Sequence, residues 1–380
     1  MIRMTTFKAW PRIALFLLLA AGGLGRGAEA APDDDLPALD RLYGQLLIVG
    51  FTGTRPGDPG VRRAREDLRF GRVGGLIAFE RNIVNETQLA ALLAHLRATK
   101  AAHIPFLAVD QEGGAVQRLR RLETMRRQPS ARWVGANTTA KEALKLYGEM
   151  AGAIDDLGFN LNLGPVVDLD FGRGNPVIGL LRRSYGASAC AVVRYAGAFV
   201  EAHRAHGVLT ALKHWPGHGS SLADPHVAVA DVTDIWQERE QRPFAALVAG
   251  GKADMIMTGH VHHRDWGEGN GLPASLSPSA VTVALRQELG FDGVVVTDDI
   301  QMASARSGRS LSEAIVLALA AGNDIVLIAN ILDYQPDVAR FGVEAIKQAV
   351  ADGRLELEAL KRSYRRIVAL KQRLRHRPSL

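Results

Sequence analysis

The sequence predicts an α/β fold, a (β/α)8 TIM-like barrel in a single domain. Eight short apolar runs alternate with longer helical patterns along most of the 380 residues. The runs lack polar alternation, as expected of parallel strands buried on both faces. Charged and imidazole side chains recur immediately after several of them. A doubly wound open sheet would alternate in the same way, and the count of eight favours the barrel.

Taken in order, the chain opens on a targeting pattern. Arg3, Lys8 and Arg12 precede an apolar run over 13–21, too short to span a bilayer as a folded helix. Ala28-Glu29-Ala30 then offers small residues where a signal peptidase reads. Residues 1–30 are therefore expected to be a signal peptide, and the product secreted or periplasmic. The alternative is an uncleaved anchor in the inner membrane. No cysteine follows the apolar run, so lipid attachment is not expected.

Residues 31–380 are left for the barrel. Its strands are expected at 46–51, 75–79, 106–109, 160–163, 209–212, 255–257, 294–296 and 325–328, each bounded by Gly, Pro, Asp or Asn. Between them, 86–100 places Leu89, Leu92, Leu93 and Leu96 on one helical face. Stretches 140–157 and 189–206 show similar patterns. The tail, 355–374, carries Leu357, Leu360, Tyr364, Ile367 and Val368 on one stripe and is expected to pack as a closing helix. Cys190, the single cysteine, makes no internal disulfide and is expected in the core of the 189–206 helix.

Composition fits a large core, with 47% hydrophobic and 23% charged residues. The formal charge of +6 falls to +3 without residues 1–30, and the basic residues are dispersed. No nucleic-acid partner is expected. The densest basic run, Lys361, Arg362, Arg365 and Arg366, reads as the solvated face of the closing helix.

The chemistry is expected at the strand ends. Asp110 ends one run, Lys213 and His214 another, His260 follows a third, and Asp298 and Asp299 end a fourth. In a barrel these positions meet on one rim, where active sites of this fold are built. A lone Asp there reads equally well as a helix cap. A doublet permits a division of labour, one residue capping and the other pointing into the site. The segment 213–226 is rich in Gly, Ser and Pro, reads as a loop, and holds three histidines. Asp224 and His226 stand two apart, close enough for the carboxylate to orient the imidazole and raise its pKa. That leaves the other ring nitrogen free to exchange a proton. The alternative is zinc, since His214, His218, Asp224, His226 and His260 supply enough ligands, although their spacing fits no tight signature.

The motifs together resemble family 3 glycoside hydrolases, in particular the single-domain bacterial β-N-acetylhexosaminidases. The resemblance rests on Asp110-Gln-Glu-Gly-Gly-Ala-Val-Gln-Arg118, Lys213-His-Trp-Pro-Gly-His-Gly with Asp224-Pro-His226, Met257-Thr-Gly-His260-Val, and Val296-Thr-Asp298-Asp-Ile-Gln-Met302. Asn162-Leu-Gly-Pro-Val-Val-Asp168 and Arg183-Ser-Tyr185 also fit. It implies a retaining mechanism with Asp298 as nucleophile, His226 as acid/base and Asp224 assisting. It implies that Asp110, Arg118, Arg183, Lys213 and His214 hold the sugar. No cofactor or metal is required. The expected substrates are N-acetylglucosamine glycosides from peptidoglycan or chitin-type glycans, handled by a monomer without a stable membrane partner. Phosphorolysis by the same residues and β-glucosidase activity are the alternatives. The intact catalytic trio argues against a non-catalytic wall-binding module. Three positions depart from the pattern: Trp215 for the usual Phe, Pro225 for Ser and Ala115 for Arg, with Trp215 and Ala115 expected to affect the pocket.

Overall fold

The computed structural model describes residues 38–125, 128–172, 174–225, 229–267 and 271–374. The expected signal segment 1–30 and His226 lie outside the described residues.

Eight parallel strands form the barrel: β1 Leu47–Gly50, β2 Gly75–Ile77, β3 Phe106–Val109, β4 Leu161–Asn162, β5 Leu209–Trp215, β6 Met255–Thr258, β7 Val294–Thr297 and β8 Val326–Ile328. All are buried along their length, which is why their sequences are apolar without alternation. Each pairs in parallel with its sequence neighbour, and β1 also pairs with β8 through Leu47 and Val326. A parallel bridge between Val296 and Ile325 joins β7 to β8 and closes the ring.

The expected strands appear with shifted ends. β4 is shorter than the apolar run at 160–163, because Gly164 and Pro165 follow at once. β5 runs longer, through Lys213 and His214 to Trp215. The stretch expected to open as a loop at 213 is still strand there. Its register against β6 shifts between Lys213 and Trp215, so one extra residue is accommodated. Such a bulge re-aims side chains at the end of a strand.

Local signals account for the helices that pack outside. Glu86–Arg97 is capped by Asn85, whose side chain accepts from Gln88 N–H, and buries Leu89, Leu92, Leu93 and Leu96. Ala140–Leu157 begins on a Thr139–Glu142 capping box and ends at Gly158 with φ +107°. Ala189–Ala205 buries Val192, Tyr195, Phe199 and Val200. Cys190 is exposed, which corrects the expected core position. It shares its helical stripe with exposed Arg194 and Glu201, four and eleven residues on, and so faces away from the barrel. Among the described residues no helix is long and apolar enough to cross a membrane.

The closing helix is Leu357–Gln372. Its buried stripe is Leu360, Tyr364, Ile367 and Leu370, with Val368 and Leu357 only half-buried. Two of its cations turn inward. Lys371 Nζ donates to Gln45 Oε1 (2.8 Å) and to the Gly74 carbonyl (2.6 Å), below the barrel. Arg366 was expected on the solvated face. Instead it donates to Asp324 (3.1 Å) and Asp292 (3.0 Å).

Asp324 precedes β8 at the end of the barrel opposite the functional rim, and it is fully buried. Its Oδ2 also accepts from Arg286 (2.7 Å) and from Val295 N–H (2.8 Å). Asp254 plays the same part before β6, accepting from Thr210 N–H, Arg204 and Arg373. Charge balance at this end of the barrel serves stability rather than chemistry. Asp324→Ala is expected to cost about 3 kcal/mol, because it strands a buried guanidinium and a backbone N–H. A urea midpoint that stays in place would refute this.

Candidate active site

The functional rim is assembled from the C-terminal ends of β3, β4, β5, β6 and β7. A buried carboxylate outside the expected set stands at its centre. Glu112, two residues beyond β3's flanking Asp110, accepts from Arg183 Nε and Nη2, each at 2.8 Å. The same carboxylate lies 2.6 Å from Lys213 Nζ. Burial opposes ionisation of Glu112, but the Arg183 guanidinium and the Lys213 ammonium hold its carboxyl well below the usual range. Lys213 also donates to Asp110 Oδ1 (2.7 Å), and Arg118 approaches Asp110 Oδ2 at 3.6 Å. Burial works against the Lys213 ammonium, yet Asp110 and Glu112 raise its pKa above the ordinary value. Four expected sugar-binding residues, Asp110, Arg118, Arg183 and Lys213, thus form one continuous ionic chain with Glu112.

His214, the fifth, is fixed by a second unexpected carboxylate. Its Nδ1–H donates to Asp168 Oδ2 at 2.7 Å, which leaves Nε2 directed at the pocket. Asp168 is fully buried and also accepts from His218 N–H (2.8 Å). Burial pushes the Asp168 carboxyl up, but His214 and His218 outweigh it and hold it low.

The Asp298–Asp299 doublet divides its work. Asp299 Oδ1 accepts from Gln301 N–H (3.2 Å) and Ala329 N–H (2.9 Å), the duty of a turn-forming cap. Asp298 points the other way. Its Oδ1 accepts from Asp299 N–H (2.8 Å), and its Oδ2 faces His214 Nε2 across 3.9 Å, beyond hydrogen-bond range. Burial favours the protonated acid, but His214, His260 and Lys213 outweigh it and bring the pKa to about 2. Asp298 is therefore an ionised carboxylate with an oxygen open to the rim.

His260 stays neutral below it. Burial lowers its pKa to about 4, although Asp298 pulls the other way. Its Nδ1 lies 2.7 Å from Ser275 Oγ and its Nε2 is 3.0 Å from the Asp299 carbonyl. Nε2–H must donate to that carbonyl, so Nδ1 accepts from the serine. Both nitrogens are committed, and neither serves as a ligand to zinc. The loop beyond β5 needs its glycines. Gly217 has φ +122°, and a Cβ on Gly219 would fall 1.9 Å from the Leu169 carbonyl oxygen. Asp224 is half-buried on that loop. His226, its expected partner, lies outside the described residues.

Trp215 does not affect the pocket. It is fully buried on the outer side of the barrel, donates to the Ala280 carbonyl (2.9 Å) and packs edge-on against Phe244. Ala115 lines a surface groove of about 490 Å³ with Gly114, Trp133, Leu180 and Leu181.

The sequence profile of the Glycosyl hydrolase family 3 N terminal domain matches residues 38–370. The chain belongs to glycosyl hydrolase family 3. Among relatives, a protein named Beta-hexosaminidase from Pseudomonas aeruginosa is 38% identical over 294 residues, covering 76% of this chain and 83% of its own length. Beta-hexosaminidase A from Pseudoalteromonas piscicida is 32% identical over 324 residues, 80% of this chain. The family 3 β-N-acetylglucosaminidase of Paenibacillus sp. FPU-7 superposes with a TM-score of 0.80 at 33% identity over 91% of this chain. The β-N-acetylhexosaminidase of Beutenbergia cavernae gives 0.79 at 29% identity over 88% of this chain and 99% of its own. This chain spans 54% of the Pseudoalteromonas protein and 64% of the Paenibacillus one.

Three imidazoles buried around this rim and its outer helix, His203, His218 and His260, have pKa values near 4 against an ordinary 6.5, burial being the main cause. Between those values the unfolded chain binds more protons, so each lowers stability as pH falls. Glu240, raised to about 7 by burial, acts oppositely between 4.5 and 7. Three groups against one predict a net loss of stability on acidification from pH 6.5 to 4.5. Urea denaturation across that range checks this; a level or rising midpoint would contradict it.

Proposed function

We propose that this chain is a retaining β-N-acetylhexosaminidase that releases terminal β-linked N-acetylglucosamine from peptidoglycan-derived or chitin-type glycans. The observation that carries the reading is Asp298, ionised at the end of β7 with Oδ2 open, while the cations around it are engaged elsewhere. The names of the Pseudomonas, Paenibacillus and Beutenbergia proteins support the N-acetyl sugar as substrate.

In this mechanism Asp298 attacks the anomeric carbon while His226, oriented by Asp224, gives its proton to the departing glycosidic oxygen. The bond to the leaving group breaks as the glycosyl–Asp298 ester forms. Neutral His226 then takes a proton from water, which releases the sugar with its original configuration. Retention requires the two groups about 5–5.5 Å apart. Asp110, Arg118, Arg183, Lys213 and His214 hold the ring through bonds that strengthen as charge develops on it. We place the enzyme outside the cytoplasm, secreted or periplasmic, on the strength of residues 1–30. An envelope or external glycan is then within its reach.

Asp298→Ala is expected to lower kcat on 4-nitrophenyl N-acetyl-β-glucosaminide by at least ~10³-fold. The 2-acetamido glycoside should exceed the matching β-glucoside in kcat/KM by at least about 100-fold. Unchanged turnover in Asp298→Ala would remove the nucleophile assignment, and equal rates on the two glycosides would remove the substrate class. In phosphate buffer the product should be free N-acetylglucosamine; a sugar-1-phosphate would overturn hydrolysis.

A further inference from the structure

The loop that bears Asp224 and His226 is held at both ends by one residue to which the mechanism gives no role. Ser304 is fully buried on the short helix Ala303–Arg306, six residues after Asp298. Its backbone N–H donates to the Pro225 carbonyl at 3.1 Å. Its Oγ–H donates to the His260 carbonyl at 2.6 Å, and the same oxygen accepts from Ala230 N–H at 3.4 Å. Its own carbonyl accepts from Ser307 Oγ (2.8 Å), with His262 Nε2 at 3.3 Å.

Neighbouring Ala305, also fully buried, shows what this side of the helix needs for packing alone: a small side chain. A buried hydroxyl is costly unless it is bonded, and here it serves two partners. Those partners come from different parts of the rim. Pro225 and Ala230 flank the acid/base residue on either side. His260 follows β6. The return arm is fixed a second time, because Ala230–Asp231 pairs in parallel with Val261–His262 and Val232 N–H donates to the His262 carbonyl (2.8 Å). Ser304 belongs to the turn that starts at the nucleophile, so it couples three segments that must keep a common frame.

We propose that Ser304 is a positioning residue that ties Pro225 and Ala230, which flank His226 in sequence, to the turn that begins at Asp298. The proposal rests on the reading of His226 as acid/base. Proton donation is sensitive to such placement, since a shift of about 1 Å can cost on the order of 100-fold. It matters most when the leaving group is poor, because a good one departs without full protonation.

The test measures kcat/KM, which reports the bond-breaking step, for 4-nitrophenyl N-acetyl-β-glucosaminide and for N,N′-diacetylchitobiose. Ser304→Ala is expected to lose about 10-fold or more on the disaccharide and under about 3-fold on the aryl glycoside. His226→Ala, measured beside it, should show a larger split in the same direction. A partly unfolded variant loses both rates equally, so instability alone does not produce the split. If His226→Ala discriminates and Ser304→Ala does not, Ser304 is only structural and the proposal falls by itself. If neither discriminates, the acid/base assignment falls and the proposal with it.

Discussion

The rim depends on one buried carboxylate with two cations. Glu112 takes Arg183 bidentately and Lys213 at 2.6 Å, in a place where burial penalises the charge on each of the three. The consequence reaches Asp298. Lys213 lies close enough to depress the pKa of Asp298, yet its ammonium is committed to Glu112 and Asp110. A lysine free to swing would pair with Asp298 directly and occupy its open oxygen. The counter-ion keeps the long-range attraction, which maintains ionisation, and withholds the direct contact, which would quench reactivity. The same anchoring holds Lys213, Arg183 and Asp110 in fixed positions on the rim. Reorganising charged groups at the moment of reaction would forfeit much of their stabilising effect.

The two ends of the barrel use aspartate differently. At the end opposite the rim, Asp254 and Asp324 are fully buried, and each is saturated by arginine and backbone N–H groups. At the rim, Asp298 and Asp110 keep 26% and 17% of their side chains exposed. A saturated carboxylate has no lone pair left for a ligand. Incomplete satisfaction, in a chain that satisfies its acids elsewhere, is what distinguishes the working residues from the structural ones. Asp298 and Asp299 draw the same distinction between adjacent positions.

Much of this was legible in the sequence, because the barrel repeats one local pattern. All eight strands fall on apolar runs, and the buried faces of the outer helices follow a 3.6-residue period. What the sequence hid are properties of direction and partnership. Glu112 and Asp168 sit inside quoted motifs, but a buried acid shows its function only through the partner it meets, and theirs arrive from 71 and 46 residues away. Arg366 looked solvated because its periodicity is marginal, and Asp324, which draws it inward, lies 42 residues off. Cys190 looked buried because small residues surround it, although the stripe it occupies is polar four and eleven residues later. Trp215 looked like a pocket residue because it follows His214, yet the Ala280 carbonyl and Phe244, 65 and 29 residues on, receive its indole on the outer side of the barrel.

An acid/base residue on a loop, opposite a nucleophile on a strand, creates a constraint of its own. The strand carboxylate is located by the barrel, whose closure leaves it little freedom. A loop has no such scaffold and must take its position from bonds at its ends. Here those bonds run to the segment that begins at Asp298, rather than to a distant helix. The Pro225 and Ala230 anchors therefore share the β7 turn as one support, with Val261–His262 as a second for Ala230. Two groups that must act on one bond gain more from sharing a frame than from each being rigid separately, since it is their relative geometry that sets the barrier. Ser304, bonded to Pro225 and Ala230 from the turn that begins at Asp298, is where the proposed frame is made.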